Sequence, residues 1–203
     1  MMWAKLNWSV DVCSFSPVDL DEAIDPIAMK KYKPCTEIKS RNTGEILFTL
    51  KHKCVRDLDF IGMSLINCDF NGMDLSHVVF DCANLMDSTF KGSKLKGAQF
   101  EDANLRGTTF ENAYAIEANF SKADMFGSNL TNANFSQSIL DDAVLEYSIC
   151  CNTIFRGSRL HYAKVQAAIL DGADFRFTDL SNIAPLDFHQ MKIFETAITE
   201  KTL

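Results

Sequence analysis

A period of five residues runs through most of this chain and restricts its fold more than any other feature of the sequence. Among the 25 positions from 60 to 180 that lie five residues apart, 21 are Phe or Leu. Two residues before them, all twenty positions from 83 to 178 are Ala, Ser or Thr. An α-helix would carry this series around its axis, and a continuous strand would send successive members to opposite faces. Neither regular structure can bury the series.

A turn in every five-residue unit resolves the conflict. The position two residues after each central Phe or Leu, which we call the corner position, holds eight of the nine glycines and eight Asn or Asp residues. These residue types tolerate turns with positive φ. Four corners close a square coil, so the 25 units predict an all-β solenoid of about six coils. Coils stacked about 4.8 Å apart would pair their backbone groups with each other.

A square coil of this period stacks residues that are 20 positions apart, and the aromatic residues follow that spacing. The sequence predicts one column of Phe60, Phe80, Phe100 and Phe120 and an opposite column of Phe70, Phe90 and Phe110. Beyond Ala115 the aromatic series changes side, to Phe135, Phe155 and Phe175. We interpret this change as an exchange of volume between facing columns of one narrow core.

Several units have a recognisable form: ANLRG at 103–107, ADMFG at 123–127, ANFSQ at 133–137 and ADFRF at 173–177. They resemble the A(D/N)LxX unit of the pentapeptide-repeat proteins, and the resemblance covers residues 58–182. It implies that family's fold, a right-handed quadrilateral β-helix. The five-residue period leads to the square solenoid without the resemblance, which supplies the handedness.

The segments on either side of the solenoid, residues 55–185, are expected to cap it, because an open solenoid end exposes apolar and unpaired groups. Residues 1–54 predict a small α/β cap with helices starting near Ser16 and Pro26, and a hairpin at 36–50 that turns on Asn42-Thr43-Gly44. In 186–203 the apolar residues have helical spacing and predict a C-terminal capping helix: Phe188, Met191, Phe194 and Ile198. That helix could instead form a homodimer contact, as the end-to-end dimers of the resembled family imply.

The composition of the chain indicates which kinds of partner it can bind and in which cellular compartment it is expected. No apolar run is long enough for a membrane span. Seven cysteines without a CxxC pair favour free thiols in a reducing cytoplasm. The net charge of −7 disfavours direct nucleic-acid binding and favours a basic partner. Some proteins of the resembled family are delivered into host cells by intracellular bacteria, which is the alternative location.

The sequence contains no motif of an enzyme or a cofactor site. Glycine-rich phosphate loops, HExxH and GxSxG are absent, and the four histidines have no Cys or acidic residue at metal-ligand spacing. Cys150 occupies a central position, so packing in the core is a better explanation for it than reactivity. We therefore predict a protein that is not an enzyme and has no cofactor or metal site.

Acidic residues gather on the wall of the predicted coil that contains Phe60. They are Asp59, Asp81, Glu101, Asp102, Asp141, Asp142 and Asp179, interrupted by Lys122, Arg159 and His161. One explanation is a solvated face that keeps the protein soluble. The other is a DNA mimic that binds and protects or inhibits a type II topoisomerase, by similarity to the quinolone-resistance branch of the resembled family. Members of its best-known plasmid-borne group carry projecting loops that this chain lacks.

Apolar residues occupy four consecutive outward positions: Ile139, Val144, Ile149 and Ile154, with Tyr147 and Tyr162 at nearby corners. Such a belt is typical of a protein interface, unless a terminal segment of the chain covers it. A smaller outward stripe consists of Ile66, Met86 and Phe126. The predicted function is a non-enzymatic protein-binding scaffold, with the DNA mimic as the alternative.

Overall fold

The computed structural model of the chain describes residues 36–50 and 58–183. Strand β1 covers Thr36–Ser40, β2 covers Ile46–Leu50 and the short β3 covers Cys68–Asp69. These described residues contain no helix. From residue 58 onward, apart from β3, the chain is a regular succession of single β-bridges and tight turns.

Residues 58–183 wind into a four-sided coil with a constant register. Twenty-one parallel bridges each join a residue to the one 20 positions further on, beginning with Asp59 and Val79 and ending with Arg159 and Asp179. No unit carries an inserted or missing residue, so the offset never changes. The predicted four-sided β-solenoid is confirmed.

Backbone hydrogen bonds between neighbouring coils replace the ladders of long strands. The N–H of Phe100 donates to the carbonyl of Asn119 at 2.7 Å, and the N–H of Asn119 donates to the carbonyl of Ala98 at 2.9 Å. The corner residue Asp102 donates to Ser121 at 3.0 Å. Because the same pattern recurs along the coil, the buried polar groups of the backbone are paired.

All 25 corner residues adopt a left-handed backbone, with φ between 54° and 70°. Glycine enters this region without a steric penalty, and Asn and Asp enter it more easily than larger residues. The phase of the glycines was therefore a correct guide to the corners. Three corners instead hold an aromatic residue, Tyr147, Tyr162 and Phe177, where the same φ costs roughly 1 kcal/mol each.

The corners divide the coil into four walls, which we number by their first unit. The first wall begins with the unit centred on Phe60, the second with Leu65, the third with Phe70 and the fourth with Leu75. Each wall continues at intervals of 20 residues, as the bridges require. The first wall faces the third across the core, and the second faces the fourth.

Two columns of phenylalanine rings fill the core of the N-terminal coils. Within a column the rings stack, with 5.0 Å between the centroids of Phe80 and Phe100 and 4.9 Å between Phe70 and Phe90. Across the core the rings meet edge to face, as do Phe90 and Phe100 at 5.7 Å. Both geometries are favourable for aromatic quadrupoles. The predicted columns are confirmed, and the stacking distance shows that the coil rises about 5 Å per turn.

The aromatic column moves to the fourth wall at Phe135. Its ring lies 5.9 Å from that of Phe110 and 5.0 Å from that of Phe120, so it bridges the two columns below it. The new column continues through Phe155 to Phe175, whose centroids are 4.9 Å apart. The predicted change of side is confirmed, but the interpretation as an exchange between facing columns is wrong, because the fourth wall adjoins the first and third walls and faces the second. The contacts of Phe135 show how the core remains filled through the change.

Small residues two positions before each central residue are buried beside it from residue 83 to residue 168. At five of the six serines in this set the hydroxyl donates to a backbone carbonyl, as Ser93 does to Phe90 at 2.7 Å and Ser138 does to Phe135 at 2.6 Å; the buried hydroxyl of Ser128 has no partner. The hydrogen bond offsets the cost of burying a hydroxyl. Serine and threonine can therefore replace alanine there.

Strands β1 and β2 form the predicted antiparallel hairpin, with Gly44 at φ 70° in its turn. Strand β1 also pairs antiparallel with β3, so the hairpin joins the sheet of the first coil. The guanidinium of Arg41 extends further and donates to the carbonyl of Asp87 at 2.9 Å. One side chain of the hairpin thus reaches the second coil.

The helices predicted near Ser16 and Pro26, and the capping helix predicted for 186–203, lie outside the described residues. The boundaries proposed for the three segments at 54 and 185 stay predictions, as do the coil number and the capping role of the terminal segments.

Candidate functional site

The apolar residues of the predicted belt lie on four different walls. Ile139 is on the first wall, Val144 on the second, Ile149 on the third and Ile154 on the fourth. Ile149 and Ile154 are exposed, whereas the other two are half-buried. Because the walls face in four directions, a single flat partner cannot contact the whole belt.

A continuous apolar surface exists on the third wall. Ile149 bridges to Ile169 in the next coil, and the two side chains are 38% and 47% exposed. Tyr147, at the corner beside them, is 62% exposed. We call Tyr147, Ile149 and Ile169 the third-wall patch. The sequence argument missed Ile169 because it compared consecutive units, whereas the stacking interval of 20 residues leads from Ile149 to Ile169.

Exposed apolar side chains are concentrated in the coils formed by residues 138–177. Of the ten large hydrophobic residues that are exposed in the described part of the chain, six lie there: Tyr147, Ile149, Ile154, Tyr162, Ile169 and Phe177. Three of the six are the aromatic corner residues. The cluster therefore combines exposed apolar area with strained backbone. Neither feature stabilises the folded solenoid.

A shallow, open depression of about 250 Å³ lies beside the corners that end three successive units of the fourth wall. Ser136, Gln137, Arg156, Gly157 and Phe177 line this depression. The guanidinium of Arg156 lies 5.1 Å from the centroid of the Phe177 ring. Arginine and exposed aromatic rings are enriched at protein interfaces.

The smaller stripe lies on the second wall as one column with a spacing of 20 residues: Ile66, Met86, Arg106 and Phe126. Arg106 interrupts the apolar residues, but its guanidinium covers the Phe126 ring at 4.3 Å from the centroid. The same guanidinium binds the carboxylate of Asp124 at 2.9 Å. The ring of Phe126 also lies 5.2 Å from that of Tyr147, which connects this column to the third-wall patch.

The predicted acidic residues do share one wall, the first, but cations of the same wall bind several of them. Lys122 lies 3.1 Å from Glu101 and 3.8 Å from Asp102. Asp141 pairs with Arg159. The pKa of Lys122 is raised by its hydrogen bond to Glu101 and by the charges of both carboxylates, which keeps the ammonium charged. Asp142 is exposed and forms no ion pair among the described residues.

Other carboxylates of the first wall accept backbone hydrogen bonds. Asp81 accepts the N–H of Glu101 at 2.8 Å, and Asp141 accepts that of His161 at 3.2 Å. Burial raises the pKa of the Asp81 carboxyl, and the charges of Glu101, Asp59 and Asp102 add to the increase. Many carboxylates of the first wall therefore form ion pairs or accept backbone hydrogen bonds within the protein, although carboxylates still outnumber cations on this wall.

Replacing Asp81 with Asn should stabilise the protein slightly at neutral pH. The carboxylate has a raised pKa in the folded chain, so its ionised form is less favourable there than in the unfolded chain. Asparagine keeps an oxygen for the N–H of Glu101 and removes the charge. We expect a gain of about 0.5 kcal/mol or less at pH 7, because the site is partly exposed. The gain should vanish as the pH falls through the folded pKa of Asp81.

Thermal unfolding of D81N and of the wild type at pH values from about 3 to about 7 measures this effect, because that range spans the titration of a carboxyl group. D141N is the matched control, because it loses the Arg159 ion pair and should not gain stability. A wild-type protein that equals D81N in stability at pH 7 and exceeds it in acid would contradict the prediction.

The described residues offer little for covalent or metal chemistry. Burial raises the pKa of Cys150 to about 12, so its thiol stays protonated and packs in the core as predicted. The four described cysteines, Cys68, Cys82, Cys150 and Cys151, are free. Within residues 36–50 and 58–183, no group of three His, Cys, Asp or Glu side chains is placed to hold a metal ion. The same part of the chain has no helix that could cross a bilayer.

Two family models match the coil. The pentapeptide repeat region matches residues 63–132, and the model of eight pentapeptide repeats matches residues 138–176. Together they cover more than half of the chain. The chain is a pentapeptide-repeat protein. This membership confirms the resemblance drawn from the repeat units, and the family's β-helix is right-handed.

Solved structures of other pentapeptide-repeat proteins also match. One from the Arabidopsis thaliana thylakoid lumen is 26% identical over 67% of this chain and 77% of its own, with a TM-score of 0.38. QnrB1, a plasmid-mediated fluoroquinolone resistance protein, is 17% identical over 70% of this chain and 85% of its own, with a TM-score of 0.36. Rfr23 from the cyanobacterium Cyanothece 51142 is 20% identical over 62% of this chain and 90% of its own, with a TM-score of 0.33. No curated protein matches the sequence significantly.

Proposed function

We propose that this pentapeptide-repeat protein is a non-enzymatic scaffold that binds a protein partner through its C-terminal coils. Its solenoid would consist of about six coils between an N-terminal α/β cap and a C-terminal capping helix. The cluster of exposed apolar side chains in residues 138–177 carries this proposal. The four free cysteines of the described residues support a reducing, cytoplasmic location, which would be that of a host cell if the chain came from an intracellular bacterium.

The strain at the aromatic corners supports the same conclusion. Asparagine or glycine at the corners of Tyr147, Tyr162 and Phe177 would relieve a cost of roughly 1 kcal/mol each. Solvent exposure gives these side chains little burial energy in return. A bound partner that buries them would supply that energy. The partner-binding residues we propose are Ile139, Val144, Tyr147, Ile149, Ile154 and Tyr162, extended by Ile169. Because they lie on four walls, the partner would have to wrap around these coils.

Affinity capture from the native cell extract with wild-type protein and the double variant I149E/I154E tests the scaffold. We expect a partner captured by the wild type to be lost from the variant, because two charges would be desolvated in the interface. I61E is the matched control, since Ile61 is 55% exposed at the other end of the solenoid. Equal capture by all three proteins would show that the apolar cluster is not the binding site.

The excess of carboxylates on the first wall favours the DNA mimic as a second candidate, with the topoisomerase as its protein partner. Its coils place charges about 5 Å apart, a spacing comparable with that of phosphates along a nucleic-acid strand. The residues proposed for this role are Asp81, Glu101, Asp102, Asp141 and Asp142. A gyrase supercoiling assay with purified protein tests it. Absence of both protection from a topoisomerase poison and inhibition at micromolar protein would remove this candidate.

A further inference from the structure

We propose that the second wall is a docking site for a basic amphipathic helix, which lies along the axis of the solenoid. This inference specifies the partner for the protein-binding function proposed above and rests on that function. The helix would place its apolar side chains over the column of Ile66, Met86, Arg106 and Phe126 and end beside Tyr147.

The rise of the coil suits a helix. Stacked rings in the core are 4.7 Å apart for Phe100 and Phe120 and 5.1 Å apart for Phe60 and Phe80. An α-helix advances about 5.4 Å per turn. A helix parallel to the axis therefore presents about one side chain to each coil. Over the three coils from Ile66 to Phe126, three turns of helix exceed three coil rises by only about 1–2 Å.

The column is continuous despite its arginine. The guanidinium of Arg106 lies over the ring of Phe126, 4.3 Å from its centroid, and pairs with the carboxylate of Asp124 at 2.9 Å. The stem of the arginine then covers apolar surface, as long cationic side chains often do. Tyr147 extends the column beyond Phe126, with the two ring centroids 5.2 Å apart.

Two exposed tyrosines border the second wall at its C-terminal end. Tyr147 occupies the corner shared with the third wall, and Tyr162 occupies the corner shared with the first wall, one coil further on. They are 62% and 57% exposed. A helix along the wall would pass between them, and its burial of both rings would offset the strain of their left-handed backbones.

Charge on the borders of the wall favours a basic helix. Three carboxylates on this wall or its corners, Asp87, Asp142 and Glu146, form no ion pair among the described residues, against two such cations, Lys164 and Arg41, whose guanidinium donates to the carbonyl of Asp87. The other two cations there, Arg106 and Lys122, are already paired. The net charge of −7 on the whole chain would attract the same partner over a longer distance.

Fluorescence anisotropy with a labelled model peptide tests the inference. The probe is an Ala-based helix of about 16 residues, about 24 Å long, with one Leu per turn on one face and Lys on both sides of that face. A second peptide carries Glu in place of Lys, and a third has the same composition with its Leu residues spread around the helix. We expect saturable binding of the first peptide in the micromolar range of small interfaces, and at least about tenfold weaker binding of the other two.

Single glutamates on the protein locate the site. M86E and F126E should each weaken binding of the first peptide by about tenfold or more. I116E is the matched control, because Ile116 occupies the same phase of the repeat on the opposite, fourth wall and is similarly half-buried. All three variants replace an outward side chain, and their thermal unfolding is measured beside the wild type so that a loss of fold is recognised.

Absence of saturable binding, or equal losses in F126E and I116E, would overturn the helix site. A wild type that sediments as a dimer and an F126E variant that sediments as a monomer would also overturn it, since a second copy would then cover the wall. Capture that depends on Ile149 and Ile154 while the peptide does not bind would refute this inference and leave the scaffold intact. Peptide binding without capture that depends on Ile149 and Ile154 would support the helix site and refute the scaffold as proposed above.

Discussion

Replacing Phe100 with Ala should cost about 3–5 kcal/mol of unfolding free energy, the range for a buried aromatic residue whose neighbours cannot collapse into the space. Phe100 is 0% exposed and lies at the centre of the ring array. It stacks 5.0 Å from Phe80 and 4.7 Å from Phe120, and meets Phe90 edge to face at 5.7 Å. The backbone bonds between coils fix the rise, so the coils cannot close the cavity.

Phe100→Leu is the matched control. Leucine occupies the same column further along the solenoid, at Leu140 and Leu160, so the site should accept it at a cost of about 1.5 kcal/mol or less. Urea titration followed by circular dichroism gives both free energies, provided the m-value is unchanged. Equal losses for the two variants would mean that stacked rings do not determine the stability of the core.

The five-residue period predicted the architecture because weak signals recur in one phase over 25 units. A single glycine gives little indication of a turn, but eight at the corner position indicate the corner strongly. The stacking interval of 20 residues then follows from four corners. It correctly predicted columns such as Phe80 on Phe100 and the move of the aromatic series to Phe135.

Contacts that depend on side-chain reach could not be predicted in the same way. Arg41 belongs to the hairpin, outside the repeat, and nothing in its local sequence indicates that it reaches the carbonyl of Asp87, 46 residues away. The stacking of Arg106 on Phe126 depends on rotamers rather than on phase. The third-wall patch was missed for a different reason. The 20-residue stacking interval leads from Ile149 to Ile169, but the sequence argument compared only consecutive units.

Deleting the single residue Asn104 should abolish cooperative folding, an effect as large as the whole stability of about 5–15 kcal/mol for a typical domain. The N–H of Asn104 donates to Ala83 at 2.9 Å, and the next N–H, of Leu105, donates to Asp124 at 2.7 Å. With one residue fewer, that unit is too short to span its wall. The units of the following coil must then shift by one position against the coil before the deletion, which turns inward side chains outward, or break the bridges that span it.

Removing the twenty residues 98–117 is the matched control, and it should leave a folded protein. Gly97 would then join Ala118, the corners would keep their phase, and Phe80 would stack on Phe120 in place of Phe100. In a stacked-repeat protein, loss of one coil subtracts one set of neighbour contacts and leaves the others unchanged. Circular dichroism and urea titration of both deletions make the comparison. A fold that survives the loss of Asn104 but not the loss of the complete coil would contradict a register set by 20-residue stacking.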